Sequence, residues 1–193
     1  MNLLDRRHWI FDMDGTLTVA IHDFDGLRAR LGLPSGAPIL ETCEAHPDSN
    51  RLLAEIDRWE EELAEEATAA PGVRTLLDWL SGRATLGVLT RNTRSTALRT
   101  LEVAGLAEYF DPAAVLGRDQ AAAKPDPAGI ELLLARWGAE GSDAVMVGDY
   151  LFDLQAGRAA GTATVWIDRI GGREFHEWAD IRVSNLAHLV GSP

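Results

Sequence analysis

A chain of 193 residues, 46% hydrophobic and 25% charged, is long enough for one medium domain or one domain carrying a small insertion, and its balance excludes a disordered or fibrous protein. The formal net charge of −12 excludes a general nucleic-acid surface, because a phosphate backbone is held by many Lys and Arg side chains. No apolar run approaches the roughly 20 residues of a membrane span, so no membrane partner is expected.

In chain order, Met1-Asn2-Leu3-Leu4-Asp5-Arg6-Arg7 lacks the apolar core of a signal peptide, and the chain reads as cytoplasmic. Trp9-Ile10-Phe11 then packs as a short buried strand and runs into Asp12-Met13-Asp14-Gly15-Thr16. The two carboxylates stand two positions apart, and the glycine lets the backbone turn sharply. Acids at the mouth of a buried strand repel each other and lose hydration, so the pair needs a cation, a ring of backbone donors, or both.

A βαβ unit takes about 30 residues, yet the next strand does not begin until residue 84, so residues 19–70 read as an insertion. Helical periodicity over 24–31 and 50–69, punctuated at Gly32–Pro38 and Ala45–Ser49, predicts a small all-helical cap, with Pro71-Gly72 as the return hinge. Glu60-Glu61-Glu62 and Glu65-Glu66 lie opposite Leu52, Leu53, Ile56, Trp59 and Leu63, and read as a solvated helix face rather than a metal site. The single cysteine, Cys43, leaves no internal disulfide and no Cys-based zinc cluster.

After the insertion, strands are predicted at 84–89, 113–116, 144–147 and 162–167, between helices at 72–80, 94–106, 127–137 and 151–160. Such alternation predicts an α/β fold with a parallel sheet, since parallel neighbours need a crossover that is usually a helix. The tail adds a short strand at 181–183 and a closing helix at 185–190. The expected division is a core of 1–18 and 71–193, with a cap of 19–70.

Groups fit for phosphoryl transfer gather at the strand ends. That reaction needs an in-line nucleophile, a proton for the leaving oxygen, and positive charge on the phosphoryl oxygens. Asp12 is the candidate nucleophile, because a carboxylate can attack phosphorus and give an aspartyl-phosphate that water later cleaves. Asp14, folded back by the turn at Gly15, is the candidate acid and then base. Thr90 ends the second strand ahead of a helix start, placed to donate to a phosphate oxygen, and Arg91 adds a charge beside it. Lys124, in Ala123-Lys124-Pro125-Asp126-Pro127, is the only lysine; the other 17 basic residues are arginines. Asp149 and Asp153 follow Val145-Met146-Val147-Gly148, and magnesium takes a few carboxylates together with water and phosphate oxygens. Asp12, the main-chain carbonyl of Asp14, and Asp149 would supply the protein's share, with Asp153 supporting through water or by holding Lys124. Taken singly, each acid or threonine is an ordinary cap.

Asp12-Met13-Asp14-Gly15-Thr16 after a hydrophobic strand, Thr90, Lys124-Pro125 and Gly148-Asp149-x-x-x-Asp153 occur in one order over residues 9–161. In that order they resemble the motifs of the haloacid dehalogenase superfamily. What the resemblance implies is a Rossmann-like parallel sheet with helices on both faces, Asp12 as nucleophile, Asp14 as acid and base, Thr90 and Lys124 on the phosphate, and Mg²⁺ at Asp12, Asp14 and Asp149. The insertion resembles the helical cap of the phosphoglycolate-phosphatase-like branch, at a shorter length.

The expected function is therefore Mg²⁺-dependent hydrolysis of a small phosphate monoester, with a phosphorylated metabolite as partner and a monomer or homodimer as the assembly. A second aspartate points to phosphate rather than a carbon–halogen bond, and a cap without lysine excludes Schiff-base chemistry. A phosphomutase of the β-phosphoglucomutase kind shares the core motifs and stays as an alternative, disfavoured by the short cap. From a different class, a phosphorylatable switch domain also gathers acids, a hydroxyl and a lysine, but keeps its acid pair and its phosphorylated aspartate on separate strands. His22, Asp23, Asp25 and Arg28 follow the first motif closely; His22 and Arg28 are the candidate substrate contacts.

Overall fold

The structure, a computed structural model, describes residues 3–171 and 174–191. Among them six strands form one parallel sheet: β1 (His8–Phe11), β2 (Thr85–Leu89), β3 (Val115–Leu116), β4 (Ala144–Gly148), β5 (Ala163–Ile167) and β6 (Ile181–Val183). Their spatial order is β3-β2-β1-β4-β5-β6, so the first strand lies at the centre. The alternation within each strand covers both faces. Trp9, Phe11, Val88, Val145 and Val165 pack on one side with Leu76, Leu77 and Leu80 of helix α4 (Val73–Leu80) and Leu101 of α5 (Arg94–Val103). Ile10, Leu89, Leu116 and Met146 pack on the other with Ile130 and Leu133 of α6 (Ala128–Trp137) and Ala156 of α7 (Leu151–Ala159). A sheet buried on both faces explains the near-continuous apolar runs of its strands.

Between β1 and α4, helices α1 (Phe24–Leu31), α2 (Ile39–Glu44) and α3 (Ser49–Ala64) bury Leu27, Leu31, Leu40, Cys43, Leu52 and Ile56 against one another. This insert has its own small core. It joins the rest through two strands of backbone lying side by side. Val19 N donates to Thr68 O at 3.0 Å, Ala70 N donates to Leu17 O at 2.9 Å, and an antiparallel bridge links Thr18 to Ala69.

Several boundaries depart from the sequence reading for local reasons. The expected strand at 113–116 shortens to two residues because Pro112–Ala114 forms a 3₁₀ turn, capped by the Asp111 carboxylate on Ala113 N at 2.8 Å. The expected helix at 50–69 stops at Ala64, and the chain beyond it returns to the core as the linker. The closing helix at 185–190 is a 3₁₀ turn, Leu186–Val190, with Asn185 as its cap. Helix α2 was not expected; it is one and a half turns between Pro38 and His46, too short for periodicity to register. Among the described residues no helix is long and apolar enough to cross a membrane.

Candidate active site

Register decides which residues meet. Phe11 is level with Val88 of β2 and with Val147 of β4, so Asp12, Thr90 and Asp149 emerge together from the carboxyl ends of three adjacent strands. The chain leaves β1 for β2 on one side and lies against β4 on the other, which opens a crevice at this point. Two glycines keep the crevice clear. A Cβ on Gly15, whose φ is +83°, would stand 2.6 Å from an Asp149 oxygen, and a Cβ on Gly148 would collide with the Asp153 carboxyl group.

Lys124 lies at the base, 2% exposed. Its ammonium donates to Asp12 Oδ1 at 2.6 Å, to Asp153 Oδ1 at 2.6 Å and to Leu89 O at 2.7 Å, which uses all three protons. Burial opposes its charge, but Asp12 and Asp153 together outweigh burial and hold the lysine above its ordinary value. Asp153 is pushed up to about 6, first by burial and then by the Asp12 charge, against the pull of Lys124. Its second oxygen accepts from Tyr150 N at 3.0 Å, so the same carboxylate fixes the lysine and the start of α7. Oxygens of Asp12, Asp149 and Asp153 lie within 4.8 Å of one another, a hard-oxygen cluster of the kind that suits a magnesium ion.

Asp14 turns the other way. Its Oδ2 accepts from Asn92 Nδ2 at 2.9 Å, and its Oδ1 lies 3.4 Å from Thr18 Oγ1 and 3.9 Å from His22 Nε2. Lost hydration raises its pKa above the ordinary carboxylate value; Asp12 adds to that, while His22, Asn92 and Lys124 oppose it. Beside it is a recess between core and insert, a cavity of about 10 Å³ lined in part by Asp14, His22, Glu60 and Asn92. That is room for about one water molecule.

Of the residues singled out in the sequence, Asp12, Lys124, Asp149 and Asp153 come together, and Asp14 and His22 stand at the recess beside them. Thr90 is buried above β2, where its Oγ1 accepts from Asn92 N at 3.2 Å. The Arg91 guanidinium donates to Lys124 O at 2.5 Å and to Glu41 Oε1 of the insert at 2.7 Å. Arg28 is not brought to the group. Its Nε donates to Ala37 O at 2.9 Å and its Nη1 to Asp25 at 2.8 Å, all within the insert.

Glu60 corrects the reading of a solvated glutamate face. It is 7% exposed, and both its oxygens accept from Arg118 Nη1, at 2.8 and 3.2 Å. Burial pushes it up to about 7 in spite of Arg118. Asn92 and Arg118 were also missed. Asn92 lies two residues beyond Thr90 in the same strand-end turn, a position the motif could have flagged; Arg118 carried no signal.

The family model described as haloacid dehalogenase-like hydrolase matches residues 9–167. A haloacid dehalogenase-like hydrolase domain-containing protein of Arabidopsis thaliana is 33% identical over 180 residues, covering 84% of this chain and 71% of that one. A probable phosphatase, IndB, of Dickeya dadantii is 30% identical over 184 residues, covering 82% of this chain and 79% of that one. Among solved structures, a HAD phosphatase from Thermococcus onnurineus matches with a TM-score of 0.70 at 27% identity, covering 95% of both chains.

Proposed function

The chain belongs to the haloacid dehalogenase-like hydrolase family, and on that premise we propose that it is a Mg²⁺-dependent phosphatase, hydrolysing a small phosphate monoester through an aspartyl-phosphate on Asp12. The observation that carries the reading is the split between two neighbouring acids. Asp12 faces the lysine and the other carboxylates, where charge can be compensated, and Asp14 turns away from them toward the seam between core and insert, where it can exchange a proton without sharing the Lys124 contact.

Each residue then has a task its surroundings suit. Lys124 donates to Asp12 and orients it, so that its other carboxylate oxygen attacks phosphorus as the ester P–O bond breaks and its electron pair passes to the leaving oxygen. Asp14, its pKa raised, carries a proton to that oxygen; it then takes one from the water that cleaves the aspartyl-phosphate, releasing inorganic phosphate and restoring Asp12. Thr90, whose hydroxyl proton is not used in accepting from Asn92 N, and Arg91 bind the phosphoryl oxygens. Asp12 and Asp149, two members of the carboxylate cluster, would hold Mg²⁺ together with the Asp14 carbonyl, and the ion would supply further positive charge to those oxygens. The insert serves as a cap, residues 19–70, over a core of 1–18 and 71–193. The short insert favours hydrolysis over a mutase, which must let a sugar phosphate turn over in a closed site.

The test is turnover of p-nitrophenyl phosphate. Activity with Mg²⁺ that vanishes with a chelator and in Asp12→Asn is expected; activity indifferent to both refutes the proposal.

A further inference from the structure

The turn that carries Asp14 has more acceptors than backbone donors. Thr16 N, Leu17 N and Thr18 N all donate to Met13 O, at 3.3, 2.9 and 2.9 Å, and Gly15 N donates to Thr18 O at 3.0 Å. Among the described residues no backbone N–H reaches Gly15 O or Thr16 O. Both residues are buried, and a buried carbonyl needs a partner.

Arg169 supplies it. This residue follows β5, and with the strands ordered β1-β4-β5 its side chain must cross the end of β4, where Asp149 stands, to reach the turn after β1. Its Nη1 donates to Gly15 O and its Nη2 to Thr16 O at 3.2 Å. Burial works against the guanidinium charge and Asp149 favours it. The loop it leaves from is anchored in turn: buried Asp168 accepts from Gly171 N at 2.8 Å with one oxygen, and from Arg182 Nε at 3.0 Å and Nη2 at 2.6 Å with the other.

The four bonds inside the turn and the Thr18–Ala69 bridge already close it, so what Arg169 adds is orientation. A planar fork on two successive carbonyls sets the tilt of both peptide groups, which a point charge does not. That matters for the residue just before them. The Asp14 carboxyl group has one close partner, Asn92 Nδ2 at 2.9 Å, and longer contacts to Thr18 and His22, so the backbone decides much of where it points. Misplacing a reacting group by about 1 Å can cost on the order of 10²-fold in rate.

We infer that Arg169 is a positioning residue for the proton transfer: its guanidinium fixes the Gly15–Thr16 turn, and through it the Asp14 carboxyl group that serves the leaving oxygen. This rests on the phosphatase reading of the same site.

The experiment compares phenyl phosphate with p-nitrophenyl phosphate, at saturating Mg²⁺, in the wild type, Arg169→Ala and Arg169→Lys. The two substrates have nearly the same shape, but phenol needs a proton to leave and p-nitrophenolate does not. In Arg169→Ala, kcat/KM for phenyl phosphate should fall about thirtyfold or more and that for p-nitrophenyl phosphate about threefold or less. For p-nitrophenyl phosphate kcat and KM should fall together, since cleavage of the aspartyl-phosphate still needs Asp14. Arg169→Lys, able to serve one carbonyl, should fall between. On phenyl phosphate, Arg169→Ala should add about threefold or less to the loss caused by Asp14→Asn alone, because both changes remove the same proton transfer.

A parallel loss on both substrates, as general damage to the fold would give, overturns the inference, as do no loss on either and full additivity with Asp14→Asn. If Arg169→Ala does not fold, Arg169→Lys decides by the same comparison. Wild-type turnover of p-nitrophenyl phosphate without phenyl phosphate overturns the inference and spares the phosphatase. Wild-type turnover of neither overturns the phosphatase reading and the inference with it.

Discussion

Lys124 gives up almost all contact with water, and two carboxylates and a carbonyl replace its hydration shell. Removing one member of such a group leaves the others buried and uncompensated, at a cost of roughly 3–5 kcal/mol. Lys124→Met should lower the urea midpoint accordingly, and Lys124→Met with Asp153→Asn should recover part of the loss, which a double-mutant cycle reads directly. Asp14 allows a kinetic prediction. p-Nitrophenolate leaves without a proton, whereas cleavage of the aspartyl-phosphate still needs a base, so Asp14→Asn should release a burst of p-nitrophenolate close to one equivalent of enzyme and then turn over slowly. No burst and an unaltered steady rate would take Asp14 out of the second step. Lys124 was legible because a chain with one lysine has placed it in a proline-fixed loop. Glu60 was not: in a run of glutamates on an amphipathic helix nothing marks the one whose burial depends on an arginine 58 positions away.

Glu60 titrates near 4.5 when exposed and is held at about 7 in the fold, so between those values the folded protein keeps a proton that the unfolded chain has lost. Stability should therefore fall as pH rises through that window, by on the order of 3 kcal/mol at most, and Glu60→Gln should flatten the slope. At the scale of elements, this residue is one part of a pattern. Among the described residues three core arginines reach acids of the insert: Arg91 to Glu41, Arg99 to Glu65, and Arg118 to Asp57 and Glu60. They are not equivalent. The Arg99 and Glu65 side chains are about half exposed, so Arg99→Ala should leave the urea midpoint unchanged within error. The Arg118 side chain is 11% exposed, and Arg118→Ala strands Asp57 and Glu60; a loss of roughly 3 kcal/mol is expected at pH 8. The loss should shrink at pH 6, where Glu60 takes up a proton. Limited proteolysis should find the linkers at 18–19 and 68–70 cut faster in Arg118→Ala than in Arg99→Ala. Helix periodicity placed α1 and α3, but the pairs that fasten the insert join residues on opposite sides of the chain's longest excursion, and sequence spacing holds no record of them.

For the whole molecule, the apolar runs and the gaps between them were enough to foresee a parallel sheet, because a strand buried on both faces has few other ways to read. Strand order was less accessible, since it is fixed by how helices cover two faces at once. That order matters to the proposed ion site: with β1 between β2 and β4, Asp12 and Asp149 end up as neighbours although 136 residues of chain separate them. A protein of net charge −12 that also gathers three carboxylates at one point should gain stability from a divalent cation. Binding to the folded state alone stabilises it by RT ln(1 + [L]/Kd), about 2.7 kcal/mol at a hundredfold excess over Kd. Mg²⁺ should therefore raise the melting temperature of the wild type in proportion to the logarithm of its concentration, and Asp149→Asn should abolish the response while Asp180→Asn, distant in the fold on the edge beside β5 and β6, retains it. A calorimetric scan at several Mg²⁺ concentrations distinguishes this from general screening, because sodium at matched ionic strength would reproduce the whole shift if the three acids merely repelled one another.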